Sequence, residues 1–301
     1  MHDARPLVFE DPLAVRILGS EHQQELRRTP DGRRRPFSAA LRAWMVVRAR
    51  LAEDVLHAML HEPLPRGVQA PGVSQYLVLG AGLDTFACRN PYAGVRVFEV
   101  DHPSTQAWKL QRLESAGVVP SPGTRFIAVD FERDDLRERL LAAGFDEQLP
   151  TVMAWLGVVP YLTGAAFRST LRVFSGFAEG SVVVFDYTQP RAALPAVEQW
   201  MQESLSGRVA AAGEPFQLFL TPREVAVELE SFGLCVKEDL DTAALTGRYL
   251  SGRSDALQLK GKAGRICVAT SGGRRAASGS PDGVTNTAGG GDGRVEGGET
   301  A

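Results

Sequence analysis

The sequence predicts an α/β protein built on a mostly parallel, seven-stranded sheet beneath an N-terminal helical cap. Two observations carry the prediction. Between residues 75 and 269, short apolar runs rich in Val, Ile and Phe alternate with longer stretches of helical periodicity, the pattern that strand–helix crossovers impose. Several of those runs also end in a glycine turn or an acid, and the carboxyl ends of such strands are where open α/β sheets bind ligands.

Upstream of the sheet, SAALRAWMVVRARLAEDVLHAMLHE (38–62) keeps apolar residues at helical spacing and predicts one long helix or two, within a cap of residues 1–62. The predicted strands are QYLVL (75–79), VRVFEV (95–100), RFIAV (125–129), TVMAWL (151–156), SVVVFDY (181–187), LCVKED (234–239) and RICVA (265–269), the last two as a hairpin-like pair. Helices are predicted over 102–117, with Pro103 near the first turn and Gly117 at the end, and over 163–177 behind Thr163. A third is predicted over 221–233, where Thr221, Pro222, Glu224 and Gly233 make a capping box with a glycine stop. The sheet domain is thus expected over 63–270, with an insertion near 188–220 that would form part of an acceptor lid. From Ser271 onward Gly, Ser, Thr and charged residues dominate, and 271–301 reads as a disordered tail.

Composition narrows the function classes. Hydrophobic residues make up 44% and charged residues 23% of the 301 residues, which suits a globular chain with a sizeable core. A net charge of −3 gives no reason to expect nucleic acid or an anionic membrane as partner, and Arg33–Arg35 reads as a solvated loop. The three cysteines, Cys88, Cys235 and Cys267, form neither a CxxC pair nor a Cys/His cluster, so neither a metal site nor a disulfide framework is expected. The absence of an apolar leader and of a long apolar run points to a cytoplasmic protein.

The chemistry gathers at the strand ends. LVLGAGLDT (77–85) is an apolar strand running into a glycine turn: Gly80 lets the chain reverse, and Gly82 lets a ligand approach the backbone. Thr85 replaces the third glycine of a dinucleotide fingerprint, and Asp84 disfavours a pyrophosphate while favouring a cation or a hydroxyl-rich ligand. VFEVDHP (97–103) places Asp101 where a nucleotide-binding unit has the acid that accepts from both ribose hydroxyls. In AVDFE (128–132), Asp130 can accept from an adenine amine and Phe131 can flank the ring. An adenosine held without phosphates beside acids indicates S-adenosylmethionine, whose sulfonium is a cation. Arg48, Arg50 or Arg89 could pair with its carboxylate. His102 reads as a helix cap.

These blocks, together with FEDPLAVRILG (9–19), RPFSAALRAWMVVRARLAEDVL (35–56), YLVLGAGLDTFACRNP (76–91) and AWLGVVPYLT (154–163), resemble the leucine carboxyl methyltransferase-like family. Within it, the chain is similar to a bacterial branch of provisionally assigned S-adenosylmethionine-dependent O-methyltransferases, some tied to polyketide biosynthesis. The resemblance covers about residues 8–270 and implies a Rossmann-like, class I methyltransferase sheet. It implies that Arg48 holds the cofactor's carboxylate and that Gly80, Ala81 and Gly82 form the loop beneath its methionine part; Asp84, read from its place in the same turn, is counted among the cofactor-binding residues. Arg89 matches the arginine after that loop. By the same resemblance Asp101 takes the ribose, Asp130 and Phe131 the adenine edge, and Leu156 and Gly157 line the cofactor after the fourth strand. Tyr161 would orient the acceptor. Leu156 stands where the leucine-carboxyl enzymes carry an acid, which favours a small-molecule acceptor over a protein phosphatase, and Cys88 stands where an aromatic is common.

A carboxylate acceptor is already nucleophilic, whereas a hydroxyl requires a base, and the sequence names no base. The residues also allow an NAD-dependent oxidoreductase, against which Thr85 and Asp84 stand, or a non-catalytic adenosine-binding protein.

Overall fold

A computed structural model describes residues 7–28, 36–61, 72–211, 213, 215–255 and 257–272. Seven strands, β1 (Gln75–Leu79), β2 (Arg96–Asp101), β3 (Arg125–Ala128), β4 (Thr151–Trp155), β5 (Val182–Thr188), β6 (Leu234–Leu240) and β7 (Gly264–Ser271), form one sheet in the order β3-β2-β1-β4-β5-β7-β6. β1 to β5 pair in parallel, and β7 runs antiparallel between β5 and β6. The strand order therefore reverses between β1 and β4, which places the ligand crevice beyond their carboxyl ends.

Nine α-helices accompany the sheet among the described residues: α1 (Gly19–Arg28), α2 (Pro36–His61), α3 (Phe86–Arg89), α4 (Pro103–Ser115), α5 (Leu136–Ala142), α6 (Gly164–Ser175), α7 (Ala196–Ala211), α8 (Pro222–Ser231) and α9 (Thr242–Tyr249). Side chains alternate across each strand, so the core splits into two layers. Leu77, Val100, Met153, Phe185 and Cys267 pack against α5, α6 and α8 through Leu140, Phe167, Leu171 and Leu229. Tyr76, Val78, Val97, Val184 and Ile266 pack against α2 and α9 through Ala43, Val47, Leu51 and Leu245.

All seven expected strands are present, each within two residues of its expected ends. Two expectations need correction. β6 and β7 pair antiparallel, but α9 and the chain up to residue 263 intervene, so they are not joined as a hairpin. Ser271, read as the start of the tail, is instead the buried last residue of β7 and is held by Ser181. The rest of the tail, 273–301, lies outside the described residues, as do residues 1–6, 29–35 and 62–71 of the N-terminal stretch and the link to the sheet. α1, α3, α5, α7 and α9 were not expected. α5 and α9 are short and owe their starts to caps, Asp135 accepting from Glu138 N and Asp241 from Ala244 N. No helix among the described residues is long and apolar enough to cross a membrane.

Candidate functional site at the carboxyl ends of β1, β2, β4 and β5

The glycine turn is fastened to the neighbouring strand, since the backbone N–H groups of Gly80 and Ala81 both donate to Val100 O, at 2.8 and 3.2 Å. Gly80 has φ +65°, and a Cβ there would stand 2.1 Å from Val158 Cγ2, so this position excludes any side chain. Gly82, at φ +48°, has nothing within 4 Å of where its Cβ would lie and faces open space. Its N–H donates to Asp101 Oδ2 at 2.5 Å, and His102 N donates to Oδ1 at 2.7 Å. The strand-end acid is thus joined to the turn, and His102 caps α4 as expected. Asp84 accepts from Phe86 N at 2.7 Å and starts α3.

A second group forms one strand over. Arg48 Nη1 on α2 donates to Asp186 Oδ2 on β5 at 2.9 Å, and Gly157 N, just after β4, donates to Asp186 Oδ1 at 2.5 Å. Gly157 has φ +74°, and a Cβ there would lie 2.6 Å from Arg48 Nη2. The guanidinium therefore lies against bare backbone, and among the described residues its other donors have no partner. Leu156 packs into the α2-side core. Because Val158 meets Gly80, the two groups form one cluster at the switch point of the sheet.

Asp130 and Phe131 follow β3, farther along. Asp130 Oδ1 accepts from Glu132 N at 3.0 Å, and Phe131 packs at the edge of the α5-side core. Tyr161 lies on the turn after β4, where its N–H donates to Val158 O at 2.9 Å and its ring sits 5.1 Å from that of Phe216.

Arg89 is placed differently. Its Nε donates to Thr85 Oγ1 at 2.9 Å, and both terminal nitrogens fork onto the Glu53 carboxylate of α2, one of them at 3.0 Å. All three guanidinium nitrogens are engaged, so Arg89 braces α3 against α2. Burial works against its charge, yet Glu53 holds the guanidinium above its ordinary pKa. Cys88 packs beside Ile17 and Leu113, and burial pushes its thiol up to about 11, so the neutral form persists at physiological pH.

Sequence reasoning missed Asp186, Trp44 and Glu53. The signal for Asp186 was an acid near the end of an otherwise apolar strand, VVVFDY, the feature that singled out Asp101. A half-open cleft of about 550 Å³ also lies between α1 and α4, away from the cluster, and its Arg16 and Arg112 are spent on the carbonyls of Ala116, Gly117 and Leu18.

The residues suit S-adenosylmethionine: an open glycine approach beside a carboxylate on one side, and on the other guanidinium donors that have no partner among the described residues. Residues 1–175 match the profile of the leucine carboxyl methyltransferase family. The provisionally named S-adenosyl-L-methionine-dependent methyltransferase YktD of Bacillus subtilis is 34% identical over 215 residues, 70% of this chain and 67% of its own length. A Mycobacterium bovis BCG protein with the same provisional description is 48% identical over 119 residues, spanning 38% of this chain and 37% of that protein. In structure, a DUF574 family protein from Streptomyces avermitilis superposes with a TM-score of 0.50 at 17% identity, covering 77% of this chain and 87% of that one, a likeness of fold alone. The chain belongs to the leucine carboxyl methyltransferase family and is an S-adenosylmethionine-dependent methyltransferase built on a Rossmann-like α/β sheet.

Proposed function

We propose that this chain methylates an oxygen, carboxylate or hydroxyl, of a small-molecule acceptor, in the manner of secondary-metabolite tailoring in the cytoplasm. The observation that carries the cofactor half of this reading is the Arg48 guanidinium. It is tethered to Asp186 by one donor, lies on Gly157, and keeps its other donors at the switch point.

In this reading Arg48 pairs with the cofactor's carboxylate, and Gly80, Ala81 and Gly82 pass beneath its methionine part. Asp84 adds negative potential that suits a cation. Asp101 accepts from the ribose while keeping its bonds to Gly82 N and His102 N. Asp130 and Phe131 meet the adenine edge, and Leu156 and Gly157 complete the wall. Arg89 contributes by bracing α3 against α2 through Glu53. When bound, S-adenosylmethionine supplies an activated methyl group. The protein's task is then alignment, which contributes on the order of 7–11 kcal/mol in favourable cases. A carboxylate acceptor needs no base from the chain.

The acceptor side is read from the excursion at 188–220. It leaves the sheet at Thr188 and returns there, Leu220 N donating to Thr188 O at 3.0 Å. Gln217 N and Leu218 N are tied to Pro160 O, which sets Phe216 against Tyr161. In the proposal this excursion is part of the acceptor lid, residues 1–62 form the cap, and Tyr161 orients the acceptor.

Calorimetric titration with S-adenosylmethionine, and with NADH in parallel, tests the cofactor half. Micromolar binding of the first alone is expected, and Asp101→Ala should weaken it by about 1–3 kcal/mol. Unchanged affinity in that variant would remove the ribose assignment. Release of S-adenosylhomocysteine with small carboxylic acids and with polyketide-like hydroxyls then sorts the acceptor class.

A further inference from the structure

On β5 the residues of one face are Val182, Val184 and Asp186. The two valines belong to the core that contains Ala43, Val47 and Leu51 of α2, and Asp186, 5% exposed, ends that apolar row with a carboxylate. Three donors from two segments, α2 and the turn after β4, converge on it. Arg48 Nη1 at 2.9 Å and Trp44 Nε1 at 3.3 Å reach Oδ2, and Gly157 N at 2.5 Å reaches Oδ1. Trp44 and Arg48 are one helical turn apart on α2 and so share a face. The Trp44 ring is itself wedged at Gly264, where a Cβ would stand 2.9 Å from it. A buried ion pair is weak support for stability, and apolar replacement of such a pair is often neutral or better for the fold. A carboxylate kept in this row, beside an arginine whose other donors have no partner among the described residues, calls for a ligand.

We propose that Asp186 is the positioning residue for the amino-acid end of S-adenosylmethionine. It fixes the Arg48 guanidinium and the Gly157 N–H in one arrangement, so that the remaining arginine donors meet the cofactor's carboxylate without reorganisation. Trp44 fixes the Asp186 carboxylate in turn. Asp186 acts through these groups and does not touch the transferred methyl. The inference rests on the reading of Arg48 as the carboxylate's partner.

Two probes separate this role from a purely structural one. S-adenosylhomocysteine carries both the adenosyl thioether and the amino-acid end, whereas 5′-methylthioadenosine carries the adenosyl thioether without the amino-acid end. In calorimetric titrations, Asp186→Asn keeps the side-chain volume and removes the charge. It should weaken S-adenosylhomocysteine by about tenfold or more, the scale of one charge-assisted hydrogen bond, and leave methylthioadenosine unchanged. In an Arg48→Met background the same substitution should add little, because the group it positions is gone. Equal losses for both probes, or no loss, would overturn the proposal. Trp44→Phe, which removes a single donor, carries the same comparison should Asp186→Asn not fold: a smaller loss confined to S-adenosylhomocysteine supports the proposal, and an equal loss for both probes overturns it. If the unmodified protein binds neither probe, the cofactor reading itself fails, a result distinct from failure of the Asp186 role.

Discussion

Gly157 shows how a single missing methyl group can serve a site. Its φ of +74° is a conformation that other residues adopt only with strain, and the space beside its Cα is filled by the Arg48 guanidinium. Gly157→Ala should therefore do two things: destabilise the fold by about 1–2 kcal/mol through the left-handed backbone, and push Arg48 aside. Denaturant unfolding measures the first and S-adenosylhomocysteine calorimetry the second. A stability loss with full affinity would mean that Arg48 tolerates displacement. At this scale the sequence was legible where a residue acts inside its own strand–turn unit. Gly80, Gly82 and Asp101 could be picked out because the turn and the strand-end acid lie 19 residues apart in the chain, and they do meet through one hydrogen bond. Asp186 was not legible as a partner of Arg48, because 138 residues separate them and only the packing of α2 on β5 joins them. Arg89 illustrates the converse. Its place after the turn was legible, but its engagement with Glu53, 36 residues upstream, was not.

Elements are fastened by a few polar groups that the apolar pattern does not reveal. Lys109 of α4 and Glu99 of β2 form an ion pair in which both side chains are at most 2% exposed, and Glu99 Oε1 has no hydrogen-bond partner among the described residues. Burial, opposed by Lys109, pushes the Glu99 carboxyl from 4.5 up to about 7. The folded state then holds a proton that the unfolded chain has released. The resulting stabilisation is fully present below pH 4.5 and is lost as pH rises to about 7. The double variant Glu99→Leu/Lys109→Met lacks this linkage and should fold with similar or greater stability near pH 8. The wild type should gain on it as pH falls from about 7 to about 4.5, and a stability difference flat with pH, measured by urea unfolding, would refute the shift. α8 offers a simpler case: its capping box was read from Thr221 and Glu224, and both reciprocal bonds are present. Thr221→Ala should cost about 1 kcal/mol in urea unfolding, and no loss would show that the docking of α8 on β6 overrides its cap. Such caps were legible because they are local. α7 was not, because besides the local bond from Gln199 Nε2 to Leu194 O it is held by partners outside the helix, Gln202 Nε2 donating to Gln189 O and Glu198 accepting from Lys262 N.

For the molecule as a whole, strand number and mostly parallel pairing followed from the alternation of apolar runs. The insertion of β7 between β5 and β6 did not, since it depends on which edge the returning chain reaches. The consequence for function is that α2, far upstream in the chain, supplies a wall of the switch-point cluster through Trp44 and Arg48. Ligand binding should therefore act on two parts of the protein at once. At a concentration of about 100 times Kd, S-adenosylmethionine should stabilise the fold by about 2.7 kcal/mol and raise Tm by roughly 5–10 °C for a domain of this size. Hydrogen exchange can locate that stabilisation. With S-adenosylhomocysteine, protection should rise both in the turn at 77–84 and in α2 around Arg48. With methylthioadenosine at equal occupancy it should rise in the turn and leave α2 unchanged, because nothing in that ligand reaches the guanidinium. Protection of α2 by both ligands alike would place the coupling in the sheet rather than in Arg48, and the amino-acid end of the cofactor would then need another partner.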